Sequence, residues 1–273
     1  MANDLTVDSV TKSLHTRWLG RHLHVFAEID STNRALSQLA SEGAVHGTLV
    51  ISDFQSRGRG RRQRRWLAPR GTSLLFSLLF RPNWRAQRAN WLTMIGGLAA
   101  AHAVERMTSR RAGLKWPNDV MLATDEGWTK MGGVLLETQL SGDRVAQAIL
   151  GIGLNVNIPT EQLPDTGTPV TSLLSACGQP VSRPALLATL LLSLELLYEQ
   201  AAAGNSPRRE WNQRLITLGH PVVVSDDNEQ IRGVATGTDE WGRLLVRDNA
   251  GHTHTVIAAD VTLRGTTLPE PDN

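Results

Sequence analysis

The feature that most constrains the fold is an arginine-rich segment between two short apolar runs. Residues 55–66 read QSRGRGRRQRRW and contain six arginines. The apolar runs on either side, residues 48–54 and 73–80, have the length and the β-branched or leucine-rich composition of buried strands rather than helices. The sequence therefore predicts a strand–loop–strand unit whose loop carries a dense positive charge.

This arginine-rich loop is either simply solvated or built to receive concentrated negative charge, because arginines at this density are not buried without partners. Gly58 and Gly60 favour the second interpretation, since glycine allows positive φ and close approach of the backbone to a ligand. Amide and guanidinium groups can then bind phosphate oxygens together, so we expect a polyanionic ligand. Without that ligand we expect residues 56–65 to be mobile, because the arginines repel one another.

Two common nucleotide-binding motifs are excluded. The chain has no G-x-x-x-x-G-K-[ST] sequence, and Gln63 stands where a dinucleotide-binding turn would have its third glycine. The strand predicted after the loop also argues against both motifs, because each of them leads into a helix. The formal net charge is only +2, so the basic residues form a confined site rather than a general nucleic-acid surface.

Size and cysteine content limit the cellular setting. A chain of 273 residues can form one large domain, or a large domain with a small companion. The single cysteine, Cys177, cannot form an internal disulfide, and no signal peptide or apolar segment of membrane-spanning length is evident. We expect a cytoplasmic protein.

Further candidate ligand-binding positions lie at a helix start and inside strands. Ser31, Thr32 and Asn33 open an amphipathic helix, and the pattern leaves N-capping and binding of a polar ligand group equally open. The strands predicted over residues 130–139 and 145–158 contain glycines, which commonly mark a bulge or a ligand lying against the backbone. We favour the ligand interpretation for these glycines. They are Gly132, Gly133, Gly151 and Gly153.

Lys115 is a candidate catalytic residue within the sequence LKWPND at residues 114–119. A lysine at the end of a strand is commonly a surface charge. Here Pro117 restricts the preceding residue, Trp116, to extended conformations, so Lys115 would be held on a rigid backbone. The position next to this turn therefore favours a functional role.

The remaining pattern predicts core helices over residues 88–107, 184–203 and 207–218, followed by five short strands in a barrel-like module. His252 and His254 in that module could suggest a metal. Because no cysteine or carboxylate cluster accompanies them, we interpret them as cross-strand surface histidines and predict no protein metal site.

Five motifs, taken in this order and spacing, closely resemble biotin protein ligases. They are DSTN at residues 30–33, QSRGRGRRQRRW at 55–66, KWPND at 115–119, KMGGVLLE at 130–137 and GIGLN at 151–155. GRGRR or KWPND alone would be only suggestive, whereas five motifs in register are highly specific. The resemblance is strong over residues 26–158, and for the C-terminal module it rests on placement.

The resemblance implies a fold of the α+β class. Residues 1–218 would form the catalytic domain, a mixed sheet flanked by helices, as in the class II synthetase-like fold of biotin and lipoate ligases. Residues 219–273 would form a small C-terminal SH3-like β-barrel.

The resemblance also implies the reaction and its participants. Biotin protein ligases use ATP to activate biotin as biotinyl-5'-adenylate, release pyrophosphate, and transfer the biotinyl group to a lysine of a biotin carboxyl carrier domain. Mg²⁺ would accompany ATP, and its mostly water ligands would leave little trace in the sequence. We expect a monomer or weak homodimer that binds no specific nucleic acid and no membrane.

By resemblance, the site residues fall into three groups. The expected catalytic residues are Lys115 and Arg61. The expected biotin-binding residues are Ser31, Thr32, Asn33, Gln55, Gly58, Arg59, Gly60, Arg61, Lys115, Gly133, Gly151 and Gly153. The expected residues for ATP and the adenylate are Arg61, Arg62, Arg64, Trp66, Asn118, Lys130 and Asn155. Gln63 departs from the family, which usually carries glycine there, and is expected to stiffen the loop.

Three alternatives compete with this interpretation. A lipoate or octanoate ligase or transferase has a related fold, but the transferases need no ATP and the arginine-rich loop argues against them. A nucleic-acid-binding protein would need aromatic residues among the basic ones, and only Trp66 qualifies. A bifunctional ligase and repressor would have a winged helix-turn-helix before the catalytic domain. The segment of about twenty residues before the first predicted strand has the pattern of only one helix, which argues against this alternative.

Overall fold

A computed structural model of the chain describes residues 4–165, 168–225, 230–257 and 259–263. The α-helices in these residues are α1 (Val7–Ser13), α2 (Thr32–Ser41), α3 (Trp91–Thr108), α4 (Leu173–Cys177), α5 (Arg183–Ala202) and α6 (Arg208–Arg214). The strands of the larger sheet are β1 (Leu23–Phe26), β2 (Leu49–Ser52), β3 (Ser73–Phe80), β4 (Ala112–Lys115), β5 (Asp119–Thr124), β6 (Gly127–Ser141) and β7 (Arg144–Asn155). The strands of the C-terminal sheet are β8 (Pro221–Ser225), β9 (Gln230–Thr238), β10 (Leu244–Arg247), β11 (Thr253–Val256) and β12 (Asp260–Leu263).

The larger sheet has the strand order β1-β2-β3-β7-β6-β5-β4. Strands β1 and β2 are parallel, and the other neighbouring pairs are antiparallel. Helices α3 and α5 contribute to the main hydrophobic core, while α2 packs in a second, separate cluster. The predicted mixed sheet flanked by helices is therefore confirmed.

Strand β3 shows how the two faces of this sheet differ. Its eight residues are all buried, and its bounds match the predicted strand. The even-numbered residues pack in the main core with α3 and α5, whereas Leu79 joins the small cluster beneath α2. Successive side chains point to opposite faces, so Ser73 and Ser77 share the face of Leu79. We call the side toward α3 and α5 the core face and the other side the α2 face.

Small residues allow α3 to lie close to its neighbours on the core face. A Cβ atom on Gly97 would lie 2.8 Å from the Trp211 ring, and one on Gly96 would lie 3.2 Å from Leu150. The predicted core helix is confirmed, although a 3-10 turn at Ala86–Asn90 precedes it where a regular helix was expected.

Helix α5 corrects the expectation that no apolar segment reaches membrane-spanning length. By length and composition alone, this helix is long and apolar enough to cross a membrane. Half of that apolar stretch is nevertheless buried inside the protein, where α5 packs against α3. Such a helix is weak support for a membrane protein, since the core helix of a globular domain has the same composition.

Two buried charged residues of α5 tie distant segments together. Arg183 pairs with Asp4 and, at 2.8 Å, with Asp53, which lies two residues before the arginine-rich loop. Glu195 accepts hydrogen bonds from the backbone N–H groups of three consecutive residues, Arg17, Trp18 and Leu19. Burial alone raises the pKa of Glu195, but these three bonds hold it below its usual range.

The predicted helix over residues 207–218 is wrong for its last four residues. Helix α6 ends at Arg214, and Leu215 forms a parallel bridge with Leu114 of β4. The Ile216 N–H donates to the Leu114 carbonyl at 2.9 Å, so this segment runs extended beside the edge strand instead. Pairing with an exposed sheet edge outweighs the helical pattern of the apolar residues. The short helix α4 lies between the strand predicted over residues 145–158 and the helix predicted over residues 184–203, where the sequence interpretation placed no element.

The C-terminal sheet has the order β11-β10-β9-β8-β12, and its neighbouring strands are antiparallel. Five strands are therefore confirmed. Within the described residues β11 and β12 do not pair with each other, so these residues form an open sheet rather than a closed barrel. The last of the five predicted strands covers residues 261–264, and its final residue, Arg264, lies outside the described residues.

The histidines of the C-terminal sheet have a carboxylate partner that the sequence interpretation missed. Asp248 lies 2.7 Å from His254 Nε2 and 3.5 Å from His252 Nδ1. The hydrogen bond from His254 lowers the pKa of Asp248 to about 2. Across the described residues, no group of three or more His, Cys, Asp or Glu side chains is arranged to hold a metal ion.

The turn between β9 and β10 packs against the larger domain. The Trp116 indole N–H donates to the Gly242 carbonyl at 3.0 Å, and the Trp91 indole N–H donates to the Glu240 carbonyl at the same distance. Trp91 also stacks on Trp241. The C-terminal sheet thus contacts the residue that directly follows Lys115.

Candidate functional site

A row of paired residues links three of the predicted motifs across the sheet. Lys115 pairs with Asp119, Asp119 with Gly133, and Gly133 with Gly153. Paired residues of neighbouring strands share a face and lie about 5 Å apart, so Lys115 and Gly153 are about 15 Å apart along the row. Gly153 in turn pairs with Leu75, which places the row on the α2 face. The structure therefore brings Lys115, Gly133 and Gly153 onto one surface. Gly132 points to the core face instead, where a Cβ atom would lie 2.4 Å from the Leu154 side chain, so the ligand interpretation is wrong for this glycine.

Two of the glycines on this surface are contacted by protein side chains. A Cβ atom on Gly151 would lie 2.1 Å from Asn33 Oδ1, and one on Gly153 would lie 2.9 Å from the Trp66 ring. Glycine is needed at both positions because any larger residue would displace Asn33 or Trp66. The nearest atoms to a Cβ on Gly133 would be at least 3.6 Å away, so that position is less restricted.

The arginine-rich loop is a β-hairpin over residues 58–66, which we call the arginine hairpin. The Trp66 N–H donates to the Gly58 carbonyl at 3.0 Å, and the Gly60 N–H donates to the Arg64 carbonyl at 2.7 Å. Gly58 is required for close approach, since a Cβ atom there would lie 2.5 Å from the Trp66 carbonyl oxygen. The prediction concerned close approach to a ligand, whereas the neighbour of Gly58 here is the protein's own backbone. The expectation that the hairpin is mobile without ligand stays a prediction.

The positive φ angles expected at Gly58 and Gly60 occur instead at the tip of the hairpin. Arg62 has φ of 50° and Gln63 has φ of 61°, while the Arg64 N–H donates back to the Arg61 carbonyl. This is the geometry of a two-residue turn in which glycine or asparagine is favoured at the centre. Residues other than glycine cost of order 1 kcal/mol or more there, so Gln63 occupies a strained position.

A cavity of about 730 Å³ opens beneath the arginine hairpin. It is lined by residues 57–65 and by Leu135, which lies on the α2 face between Gly133 and Glu137. The arginine and glycine residues of the hairpin therefore line a space large enough for a small organic anion. A larger cavity of about 930 Å³ lies between α6 and β4 and is lined by none of the predicted site residues.

The start of α2 is tied to the arginine-rich segment by Gln55. The Gln55 amide oxygen accepts from the Thr32 N–H at 2.7 Å, and the Thr32 hydroxyl lies 3.1 Å from the same oxygen. Ser31 occupies the N-cap position, but its side chain makes no capping bond. Gln55 therefore caps α2 from another segment of the chain, and the Ser31 hydroxyl does not cap this helix.

Ser77 connects the two polar residues at the start of α2. Its hydroxyl lies 2.7 Å from the Thr32 hydroxyl and 2.6 Å from Asn33 Oδ1. Because an amide oxygen can only accept, the Ser77 proton is donated to Asn33. All three residues are buried, so this network holds a fixed arrangement of polar groups beneath the cavity.

Three of the residues predicted for the nucleotide, Asn118, Lys130 and Asn155, lie outside the arginine hairpin. Lys130 Nζ is 2.6 Å from Asp119 Oδ1, and the Asn118 side-chain amide donates to the Val134 carbonyl. Asn155 donates to the Thr171 carbonyl, while its buried Oδ1 has no protein partner. An unpaired buried acceptor is costly unless a ligand or water completes it. Arg62 reaches the Ser225 carbonyl of the C-terminal sheet at 3.4 Å.

Sequence reasoning missed two residues of this surface. Ser77 lies in a predicted strand, and the recurrence of serine every fourth residue in SLLFSLLF was the available signal that one face is polar. Glu137 belongs to the motif KMGGVLLE but was given no role. It bonds Asn33 and Arg59, which are distant from it in the sequence, so only the folded arrangement shows the connection.

Comparisons with known proteins agree with this geometry. Residues 25–155 match the biotin/lipoate A/B protein ligase family, and residues 217–264 match the biotin protein ligase C-terminal domain. The bifunctional ligase/repressor BirA of Bacillus subtilis is 31% identical, over 95% of this chain and 79% of its own length. A biotin--[acetyl-CoA-carboxylase] ligase of Mycobacterium tuberculosis is 34% identical, over 88% of each chain.

A solved structure extends the likeness to three dimensions. The biotin protein ligase from Aquifex aeolicus in complex with biotin and ATP has a TM-score of 0.73 and 29% identity, covering 89% of this chain and 99% of its own. The chain belongs to the biotin/lipoate A/B protein ligase family, and within that family it is a biotin protein ligase.

Proposed function

We propose that this protein joins biotin to a lysine of a biotin carboxyl carrier domain in two steps. First, a biotin carboxylate oxygen attacks the α-phosphorus of ATP, and the bond to the β-phosphate breaks, which releases pyrophosphate. Second, the acceptor lysine amine attacks the activated acyl carbon. An amide forms, AMP leaves with the electrons of the broken bond, and the amine loses a proton. The protein itself needs no nucleophile for this sequence.

The observation that carries the proposal is the arginine hairpin above the α2 face, with Lys115 in the same row as Gly133 and Gly153. The first step brings two anions together. Fixed cations on one surface offset their repulsion and hold them in line. We assign Lys115 and Arg61 to this task.

The roles of the other residues follow from their positions. The polar network of Thr32, Asn33 and Gln55 would fix biotin beside the glycine-lined strands, with Ser31 and the backbone of the hairpin nearby. The adenylate would lie toward Asn118, Lys130 and Asn155, where the unpaired Asn155 Oδ1 offers an acceptor. Trp66 would bind by its ring, and Arg62 and Arg64 would contact phosphate oxygens.

Mg²⁺ is proposed to enter with the ATP phosphates rather than to occupy a resident protein site. Asp119, the carboxylate of the KWPND motif, is engaged by Lys130. Water and phosphate oxygens are the ligands that Mg²⁺ usually keeps in such sites.

The wider assignments are also proposals. The catalytic domain would extend over residues 1–218, and residues 219–273 would form an SH3-like barrel. The protein would act in the cytoplasm as a monomer or weak homodimer, with no specific nucleic acid or membrane partner. The match to the C-terminal domain of biotin protein ligases supports the division near residue 218.

Pyrophosphate release tests the proposal directly. The purified protein with ATP and Mg²⁺ should release pyrophosphate only when biotin is present, and it should then biotinylate an acceptor domain. Equal release with lipoate or octanoate in place of biotin would move the assignment to the lipoate or octanoate ligases.

A further inference from the structure

Glu137 lies on the α2 face at the edge of the proposed biotin site. It belongs to β6, two residues beyond the cavity-lining Leu135 and four beyond Gly133, so the three side-chain positions share one face. Its side chain is about one-third exposed, at 34%. The proposed reaction assigns no role to this carboxylate.

The two oxygens of Glu137 bind two different parts of the site. Oε2 accepts a hydrogen bond from Asn33 Nδ2 at 2.7 Å, and Oε1 lies 2.8 Å from a guanidinium nitrogen of Arg59. Asn33 is buried at the start of α2, whereas Arg59 belongs to the arginine hairpin. One carboxylate therefore joins the helix to the hairpin.

These contacts complete a chain of hydrogen bonds that begins and ends on the arginine-rich segment. Its members in order are Gln55, Thr32, Ser77, Asn33, Glu137 and Arg59. The chain crosses α2, β3 and β6 between its two ends, so it fixes the first arm of the hairpin relative to the sheet. It also fixes the Asn33 amide, because Nδ2 faces Glu137 while Oδ1 faces Ser77 and Gly151.

We propose that Glu137 is a positioning residue for the biotin site. Its carboxylate holds the Asn33 amide and the Arg59 guanidinium in the arrangement that receives biotin, so less ordering remains to be done when biotin binds. Glu137 acts through these two residues rather than on the reacting atoms. The inference rests on the proposed function.

The test compares Glu137→Gln and Glu137→Ala with Glu126→Gln, a matched change at an exposed turn between β5 and β6. Glutamine keeps one acceptor oxygen but loses the charge that holds Arg59. In biotin-dependent pyrophosphate release, we expect Glu137→Gln to raise the KM for biotin about tenfold and to leave kcat within about threefold. Glu137→Ala should raise the KM further, and Glu126→Gln should match the wild type.

Limited proteolysis gives a readout that needs no substrate. Trypsin should cut the arginine hairpin faster in Glu137→Gln than in the wild type or Glu126→Gln, because one end of the hydrogen-bond chain is lost. In an Arg59→Ala background, adding Glu137→Gln should raise the KM by clearly less than tenfold, since the two residues share one interaction.

Two results would overturn the inference. One is a KM for biotin in Glu137→Gln that equals or falls below the wild-type value, which would mean that the carboxylate is neutral or repels the biotin carboxylate. The other is unchanged trypsin cleavage of the hairpin. Should the wild type itself release no pyrophosphate with biotin, the proposed function fails, while the proteolysis result still decides the inference. If Glu137→Ala does not fold, the near-isosteric Glu137→Gln decides it.

Discussion

The two faces of the larger sheet differ in what their side chains contact. On the core face, residues such as Phe76 and Leu150 pack with α3 and α5 in one extended cluster. On the α2 face, the buried apolar cluster has five residues, and the rest of the surface carries glycine, serine and asparagine besides Leu75 and Leu135. Stability grows with the apolar area that is buried. The core face therefore stabilises the fold, while the α2 face arranges polar groups for a ligand.

The largest expected effect is that of replacing Lys115 on the α2 face, which should change the rate of catalysis but not the stability. Lys115→Ala should slow adenylate formation by two to three orders of magnitude, about 3 to 4 kcal/mol in the barrier, because one fixed cation is lost where two anions meet. Its free energy of unfolding should change little. Single-turnover pyrophosphate release and urea unfolding measure the two quantities.

Two further variants sharpen this prediction. Lys115→Arg should not restore the full rate, since a planar guanidinium does not replace a compact ammonium. Lys12→Ala removes an exposed lysine from α1 and should leave the rate unchanged. An adenylation rate within a few-fold of wild type for Lys115→Ala would show that Lys115 is a surface charge, and the α2 face would lose its catalytic assignment.

Two neighbouring leucines of β3 allow the contributions of the two faces to stability to be compared. Leu78 points to the core face and Leu79 to the α2 face, and both are fully buried. We expect Leu78→Ala to lower the free energy of unfolding by about 3 to 4 kcal/mol and Leu79→Ala by about 2 kcal/mol, since the smaller cluster offers fewer contacts to lose. Urea titration monitored by tryptophan fluorescence gives both values. Equal losses would show that the α2 face is as important for packing as the core face.

Gly153 tests whether the close approach of Trp66 matters for binding. The added methyl group of Gly153→Ala would lie 2.9 Å from the Trp66 ring and would displace it, at a cost of about 1 to 2 kcal/mol. We expect a KM for biotin about tenfold higher. Gly237→Ala is the matched control, because no atom lies within 4 Å of the added methyl group. Unchanged biotin kinetics in Gly153→Ala would show that the contact between Gly153 and Trp66 does not shape the biotin site.

Local pattern sufficed for much of the fold and for the position of the site. Strand β3 and the location of the arginine hairpin follow from short apolar runs and clustered arginines, which act over a few residues. For the seven-stranded sheet, the sequence predicted only that the sheet is mixed and flanked by helices. The order of the strands could not be predicted, because it depends on pairings between distant segments.

The rest of the site could not be read from local pattern. Glu137 is hydrogen-bonded to Asn33, which is 104 positions away in the sequence. The residues around either position do not indicate that the two are in contact. Leu215 has helical spacing with Trp211, but it lies beside β4 because an edge strand offers unpaired backbone groups. The strained φ of Gln63 follows from the two-residue turn, which was not evident until the two arms of the hairpin were paired.

The smallest expected effect concerns His46, at the margin of the core face. Its ring stacks on Trp18 and contacts Phe80 and Tyr198, and its Nδ1 accepts the Arg81 backbone N–H at 3.0 Å. Burial, followed by the nearby charge of Arg81, lowers the pKa of His46 below its ordinary value of 6.5. Protonation would also remove the lone pair that accepts the Arg81 N–H.

The sign of the pH effect follows from this lowered pKa. Between the folded-state pKa and 6.5, the unfolded chain binds a proton at His46 more readily than the folded protein does. The His46 contribution to the free energy of unfolding should therefore be complete above pH 6.5, decline as the pH falls below it, and level off once the folded protein is protonated too. Urea titrations across this range should show a shallower decline in His46→Gln, while His22→Gln, at an exposed histidine, should follow the wild type. An identical decline in His46→Gln and wild type would assign the pH dependence elsewhere and remove His46 from the stabilising contacts of the core face.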